Sequence, residues 1–555
     1  MNLLKKFSSY LIIFSFFITF IKSDDLATHL NINENTSLTK NETEIHRDNS
    51  PAFEDIDLSL CDEIDYIAKY EELKPKVPLI VKRSFIDTLG ILLTGGIDQL
   101  LKEDLYLKTH RILKRPINSL PIFLIFHTEH LKQDKLVRLS LFADSTYKSF
   151  FTDDSPFINS YLGFDCPNIK SNYDKLKILT NIDLEDVIGL FRKAKKQDRR
   201  VGLQLQTLYN FDNWSLEVTM PFLYQEYNYF FTEEEKEDIL NSHLFGNSTI
   251  KIEEKELMKH AVSDKLGFGD ADIQIGYLIF QRNCWCAKVG LLATLPLAFE
   301  LKQGMLGSNF NNKLVRPNLD LSQVVQANLS GDSQTFSNIL KDFGFKALHW
   351  LNAMVLESPL GNNGHFGLGA FFEPLFRLDE NVILKSRAAV EYLFPAGEER
   401  FFLTIKNQAD FNHAQFEKDR ENEQTAENAV KFLSQIVTET LFPNIYQTTI
   451  EPGFSLQFTL APQFRLNEWC FSVGYDYWYQ QKESINYICN PQNIPLNICK
   501  GSKPHGTQSK IFGFLSYNIV KKNYDWTISL NAEETLSSFG VGRDFALSLG
   551  FEFNF

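Results

Sequence analysis

Few residues in this 555-residue chain stand at spacings that chemistry demands. His365, in Gly361-Asn-Asn-Gly-His365-Phe-Gly367, is a nominal base for Ser358, and His349 is another. Neither has an acidic orienting group at a recognisable distance, and the chain has no G-x-S-x-G elbow, P-loop, H-E-x-x-H helix or strict calcium loop. His365 reads more simply as part of a Gly-rich loop entering a strand, so no enzyme and no cofactor are expected. Cys284-Trp-Cys286 lacks the two-residue spacer of a zinc knuckle and has no matching Cys/His pair, which leaves small apolar residues near a strand start. Cys489 and Cys499 bracket an Asn- and Pro-rich loop that suits a disulfide, and the odd total of seven leaves at least one free thiol.

Charge and composition narrow the classes. With 56 Lys+Arg against 70 Asp+Glu the formal charge is −14, which excludes a generic nucleic-acid binder. A mean hydropathy of −0.20 and the lack of a long apolar run after residue 25 exclude a helical membrane bundle. Residues 1–23 read as an export signal, with Lys5 and Lys6 before the apolar stretch Leu11 to Ile21. Residues 24–76 read as a polar, partly disordered periplasmic tail. The basic run Arg192, Lys193, Lys195, Lys196, Arg199, Arg200 is the clearest charge cluster, read either as a solvated helix face and loop or as a contact for phosphate groups.

The carboxyl terminus is the most informative segment. Phe545, Leu547, Leu549, Phe551, Phe553 and Phe555 occupy every second position, and Ala546, Ser548, Gly550, Glu552 and Asn554 fill the alternate ones. This is a strand with one greasy and one polar face, long enough to cross a bilayer at about 45° of tilt. A terminal Phe preceded by such alternation resembles the closing strand of bacterial outer-membrane β-barrels. The resemblance implies recognition by the barrel-assembly machinery, a Gram-negative-type outer membrane as location, and lipopolysaccharide as the counterion of the basic run.

A barrel must repeat this pattern, because lipid accepts backbone only in a closed sheet. Alternation recurs at 200–209, 214–222, 271–279, 287–299, 382–394, 454–465, 471–479 and 524–533, and more weakly at 117–128 and 135–143, with 79–93 as a further candidate. Counting back from the terminus, short links (129–134, 210–213, 281–284, 378–381, 466–467, 521–523) alternate with longer ones (145–198, 223–269, 300–364, 395–449, 481–508, 534–540). A soluble sandwich has no reason to sort loop length by parity. The expected fold is an all-β, transmembrane, antiparallel up-and-down barrel over residues 77–555, of about fourteen strands with twelve as the alternative. Helical insertions are expected in the long loops near 183–196, 333–343 and 426–441.

On this reading Arg200, Glu217, Lys288, Lys385, Arg387, Glu391, Arg465, Asp476 and Asp525 face the lumen, where they either set up a field or lock together as a plug. The function implied is a porin-like channel for small polar solutes. The alternative is a surface-interaction barrel that only anchors large outer loops. Five Asn-x-Ser/Thr sites also fit a secreted glycoprotein, in a chain where Asn is common.

Overall fold

The computed structural model describes residues 109–126, 135–149, 157–158, 193–240, 253–303, 314–318, 320, 323, 332–357, 359–404, 438, 442–520 and 525–554. The strand expected at 79–93, the tail, the helices expected before residue 193 and over most of 426–441, Arg192, Ser358 and Phe555 lie outside them.

The strands are β1 (Lys135–Lys148), β2 (Lys195–Phe211), β3 (Trp214–Phe230), β4 (Val262–Phe268), β5 (Ala271–Gln281), β6 (Trp285–Leu295) and β7 (Phe299–Gln303). After them come β8 (Gly367–Asp379), β9 (Val382–Leu393), β10 (Ala396–Phe402), β11 (Asn444–Glu451) and β12 (Gly453–Leu466). The last are β13 (Trp469–Gln480), β14 (Ser484–Ile488), β15 (Gly506–Val520), β16 (Asp525–Phe539) and β17 (Arg543–Asn554). Every pairing along the ring β1-β2-β3-β5-β6-β8-β9-β12-β13-β15-β16-β17 is antiparallel, and β17 returns to β1 with Phe551 opposite Leu139 and Leu549 opposite Leu141. The sheet therefore has no open edge around its girth.

Twelve strands close the ring, and β4 and β7 bring the sheet to fourteen. Both extra lengths continue a neighbour past a break. β4 and β5 run along β3 in turn, pairing Phe268 with Phe222 and Asp272 with Thr219, and the break falls at Gly269 and Asp270. β7 likewise extends β6 beyond Pro296, pairing Phe299 with Phe268. Asp270 staples the two breaks: its carboxylate accepts from the backbone N–H groups of Ala298 and Asn362.

Burial is inverted relative to a soluble protein. The buried face of the strands carries Arg138, Gln204, Glu217, Lys288, Glu373, Thr459, Asp476, Lys510, Asn531 and Glu552, while the exposed face carries Leu141, Leu203, Leu291, Leu456, Leu515, Leu530 and Leu549. Aromatic pairs ring the outside toward both ends: Trp214–Tyr277, Trp469–Tyr517 and Trp526–Phe553 at one, Tyr392–Phe454 and Phe222–Phe268 at the other. An aliphatic band between two aromatic belts matches a bilayer, so this is a transmembrane barrel. Among the described residues no helix is long and apolar enough to cross a membrane.

One end carries turns of two or three residues at 212–213, 282–284, 380–381 and 467–468, with Asp212 and Asn467 supplying the positive φ such turns need. The other end carries the long connections, with one exception: the longer link expected at 534–540 is mostly strand, and β16 and β17 are joined by residues 540–542 alone. The long connections hold the helices α1 (Glu233–Leu240), α2 (Glu254–Ala261), α3 (Ser333–Leu351) and the short α4 (Ile498–Gly501), and a three-stranded sheet β10-β11-β14. The helix expected at 333–343 starts on an Asp332 cap, which accepts from Thr335 N at 3.0 Å, and runs on to Leu351 and a π-helical turn at Asn352–Leu356. It packs Phe336, Leu340 and Trp350 into an apolar cap with Tyr227, Tyr229, Phe231 and Phe401.

Two further expectations fail. Residues 195–196 are strand, not helix, because β2 begins at Lys195. Residues 117–126 are not a wall strand: Ile117–Ser119 and Pro121–Phe123 form single 3-10 turns inside the barrel. Pro116 and Pro121 remove two ladder donors and fix φ at values that suit such turns.

Candidate functional site

The described chain enters the lumen from the long-loop end rather than from the short-turn end. Thr109 N donates to Lys500 O at 2.9 Å, and Leu113 bridges Val541. It then descends past successive inward residues of β2: Arg200 donates to Arg115 O, Gln204 to Asn118 Oδ1 and Gln206 to Phe123 O, at 3.1, 3.1 and 2.8 Å. Ile125 ends against Leu136 and Leu208.

Polar wall groups hold this luminal segment in place of a β-ladder. Arg115 Nη1 sits 2.7 Å from Asp476 Oδ2, both side chains fully buried. Asp476 also accepts from Gln457 and Thr459, and Gln457 donates to Ser119 O. Ile122 is gripped on both backbone groups, its N–H donating to Glu533 and its carbonyl accepting from Asn531. Glu533 and Asp544 share the Lys510 ammonium. The apolar side chains Ile117, Leu120, Ile122 and Phe123 rest on Phe142, Leu223, Leu360 and Ala546, and Phe123 meets Phe142 edge to face at 5.2 Å.

Along the wall formed by β5, β6 and β9, by contrast, a cavity of about 220 Å³ lies between the segment and the strands, reaching β12 and β13 at Ser455, Gln457 and Trp478. Its lining includes Asp272, Gln274, Arg387, Glu391, Gln457 and Trp478. A second cavity of about 50 Å³ lies further toward the short-turn end, beside Phe126, Arg138 and Lys385. Leu124 lines both, so it stands between them. In the larger cavity Thr294 Oγ1 lies 2.9 Å from Asp272 and 2.6 Å from Glu391, two carboxyls sharing one hydroxyl. Among the described residues neither forms an ion pair. Arg387 is engaged elsewhere, between Glu373 and Gln274.

The charges that the sequence assigns to the lumen take the following places. Arg200, Glu217, Lys288, Lys385, Arg387 and Asp476 are buried on the inner face, and Glu391 lines the cavity. Arg465 and Asp525 are corrected: at the short-turn end Arg465 is exposed and Asp525 half-buried. Phe545, Leu547 and Leu549 are exposed on the outer face, and Phe551 and Phe553 continue that face half-buried.

The basic run divides by strand parity. Lys196 and Arg200 point inward to Asp198 and Asp144, so Lys196 is withdrawn from any lipid contact, while Lys195 and Arg199 are on the outer face and Lys193 pairs with exposed Glu234. Cys286 is buried against Leu375 and Ile383 at the start of β6, as expected. The Cys489–Cys499 pairing is overturned: Cys489 is a free thiol, whereas Cys499 is disulfide-bonded.

Two features escaped the sequence. One is the luminal segment. Its signal was present, since Phe142, Leu136 and Leu208 are large apolar residues on a face that is otherwise polar. The other is a charge network at the mouth of the larger cavity. His365 Nε2 lies 2.7 Å from Glu398 Oε1, Arg400 joins Glu398 to Glu483, and Lys503 N donates to Glu483. Burial works against the ionised Glu398, but the Arg400 guanidinium, the His365 hydrogen bond and Lys503 together hold its carboxyl down at about 2.

No family model matches the chain, and no curated protein does. Among solved structures, an outer-membrane channel from Pseudomonas putida F1 is similar at 9% identity and a TM-score of 0.36, covering 76% of this chain and 96% of that one. The Ralstonia pickettii toluene transporter TbuX is similar at 9% identity and 0.30, covering 76% and 90%. The KdgM porin is similar at 7% identity and 0.24, covering 65% and 96%. All three scores are low, and the barrel stands on its own strand pairing.

Proposed function

We propose that this protein is a porin-like channel of a bacterial outer membrane that passes small polar solutes between the luminal segment and the β5–β13 wall. The observation that carries the proposal is the polar cavity of about 220 Å³ inside a barrel whose outer surface is apolar. A passage lined by Gln274, Gln457, Asp272 and Glu391 replaces part of a solute's hydration shell, and hydrocarbon has no counterpart there. Leu124, which lines both cavities, would set the constriction between them.

The closing strand that begins at Arg543 would present its outward face to the barrel-assembly machinery and place the short turns in the periplasm. Lys195 and Arg199, outward near the long-loop end, would then meet lipopolysaccharide phosphates.

The competing reading, a barrel that only anchors its outer loops, draws on the same luminal segment. Arg115, Asp476 and Glu533 fix it so firmly that a sealed barrel is a coherent structure. Single-channel recording in planar bilayers separates the two. Discrete current steps from folded barrel support the channel, and a silent bilayer containing heat-modifiable, folded protein supports the anchor.

A further inference from the structure

Around His365 the hydrogen-bonding partners bear on the protonation state. The ring is buried. Its Nδ1 lies 2.8 Å from the Phe394 carbonyl oxygen, which can only accept, and its Nε2 lies 2.7 Å from a Glu398 oxygen. Glu398 is itself an acceptor, because Arg400 Nε, 2.9 Å away, and Asn363 Nδ2 face its other oxygen. Both ring nitrogens thus face acceptors, an arrangement that calls for two ring N–H donors, as an imidazolium supplies. A neutral imidazole has one N–H, and would turn a lone pair toward either the carbonyl or the carboxylate.

The position of the ring gives that proton a mechanical role. His365 belongs to the loop 361–366, which Asp270 ties to the barrel through Asn362 N. Glu398 belongs to β10 of the sheet β10-β11-β14, which stands outside the barrel ring. The His365–Glu398 contact, with the Asn363–Glu398 hydrogen bond beside it, thus clips the outer sheet to the rim, and these residues line the larger cavity at its long-loop end together with Glu483 and Lys503.

We propose that His365 is a proton-operated latch on the channel mouth: protonated, it holds the outer sheet down and narrows the entrance, and on losing its proton it releases Glu398 and widens it. This rests on the channel reading given above. The charged groups around the latch are Glu398 and Arg400 on β10, Glu483 and Lys503 on the β13–β15 connection, Asp270 at the strand break, Glu391 on β9, and Arg111 on the luminal segment. With the imidazolium, the cations His365, Arg400 and Lys503 match the anions Glu398, Glu483 and Asp270. Without it this group carries an excess of negative charge, which also favours separation of the two carboxylates from the rim.

Conductance of the full chain in planar bilayers, recorded from about pH 5 to about pH 9, tests the latch. The expected result is a reversible rise of about twofold or more with pH, and its disappearance in His365→Gln, which conducts at the open level throughout. Should that variant not assemble, Glu398→Gln serves, since it removes the acceptor the ring holds, and it too is expected to lose the response. Nitrogen NMR of the reconstituted wild-type barrel reads the ring directly and is expected to show both nitrogens protonated on the acid side. Current independent of pH, an unchanged response in either variant, or a singly protonated ring at the acid end overturns the latch and leaves the channel standing. A folded wild type silent at every pH overturns both.

Discussion

Arg115 and Asp476 meet at 2.7 Å in the interior, one from the luminal segment and one from the barrel wall, with neither side chain exposed. Breaking a buried pair by removing one partner costs about 3–5 kcal/mol, because the survivor keeps its charge and loses its solvent substitute. Arg115→Ala is therefore expected to loosen the segment while β1 to β17 remain paired. Heat-modifiable migration should stay normal and single-channel current should rise. Unchanged current with a folded barrel would mean that the remaining contacts, Ile122 with Glu533 and Gln206 with Phe123, suffice to hold it.

Leu124 lies between the two cavities. Leu124→Ala should raise conductance and admit larger uncharged polymers, and Leu124→Trp should lower it. Equal currents from all three proteins would place the passage elsewhere in the lumen.

Asp272 and Glu391 share the Thr294 hydroxyl, and among the described residues neither has an ion-pair partner. Carboxyls facing a narrow passage favour cations over anions. Replacing both by their amides should move the reversal potential in a salt gradient toward the anion value, by tens of millivolts if this pair dominates the field. No shift would assign selectivity to other charges.

At the cavity mouth Glu398 is held down to about 2 by Arg400, His365 and Lys503 against the cost of burial. A carboxyl whose folded value lies below its unfolded one stabilises above the unfolded value, near 4.5 here, and loses that contribution as pH falls toward about 2. The contribution at neutral pH is on the order of 3 kcal/mol. The sheet β10-β11-β14 should thus become open to acid-active protease between about pH 4 and pH 2 while the barrel persists. Glu398→Gln should be cut at neutral pH as well. Simultaneous loss of sheet and barrel would contradict a local role.

Much of the barrel was legible because its rule is simple. Strand β17 follows period two without a fault, so Phe545, Leu547 and Leu549 could be assigned to lipid and Ser548 and Glu552 to the interior from position alone. Loop parity then fixed the ends. The luminal segment was missed because Ile117, Leu120, Ile122 and Phe123 imitate a wall strand, and that imitation outweighed the signals against it: Pro116 and Pro121, and the apolar Leu136, Phe142 and Leu208 on a polar inner face. The basic run misled for a related reason. Lys195 to Arg200 looks like one charged face, yet in a strand its members part to opposite sides, and Asp198 and Asp144 neutralise the inner ones. The cavity-mouth network could not be read at all, since His365, Glu398 and Glu483 are far apart in the chain and meet only when the outer sheet folds over the rim.

The central claim, a solute path through the cavity beside the luminal segment of a transmembrane barrel, is tested most directly by modifying neighbours on one strand. Gln457 points into the lumen and Leu456 into lipid. With Cys284, Cys286, Cys470 and Cys489 replaced by serine, and that parent recorded as the blank for the remaining native cysteines, Gln457→Cys and Leu456→Cys are each recorded before and after a charged, membrane-impermeant thiol reagent. The predicted result is a stepwise fall in single-channel current for Gln457→Cys and none for Leu456→Cys. Equal sensitivity at the two positions, or current indifferent to a bulky charge at 457, would contradict the path described here.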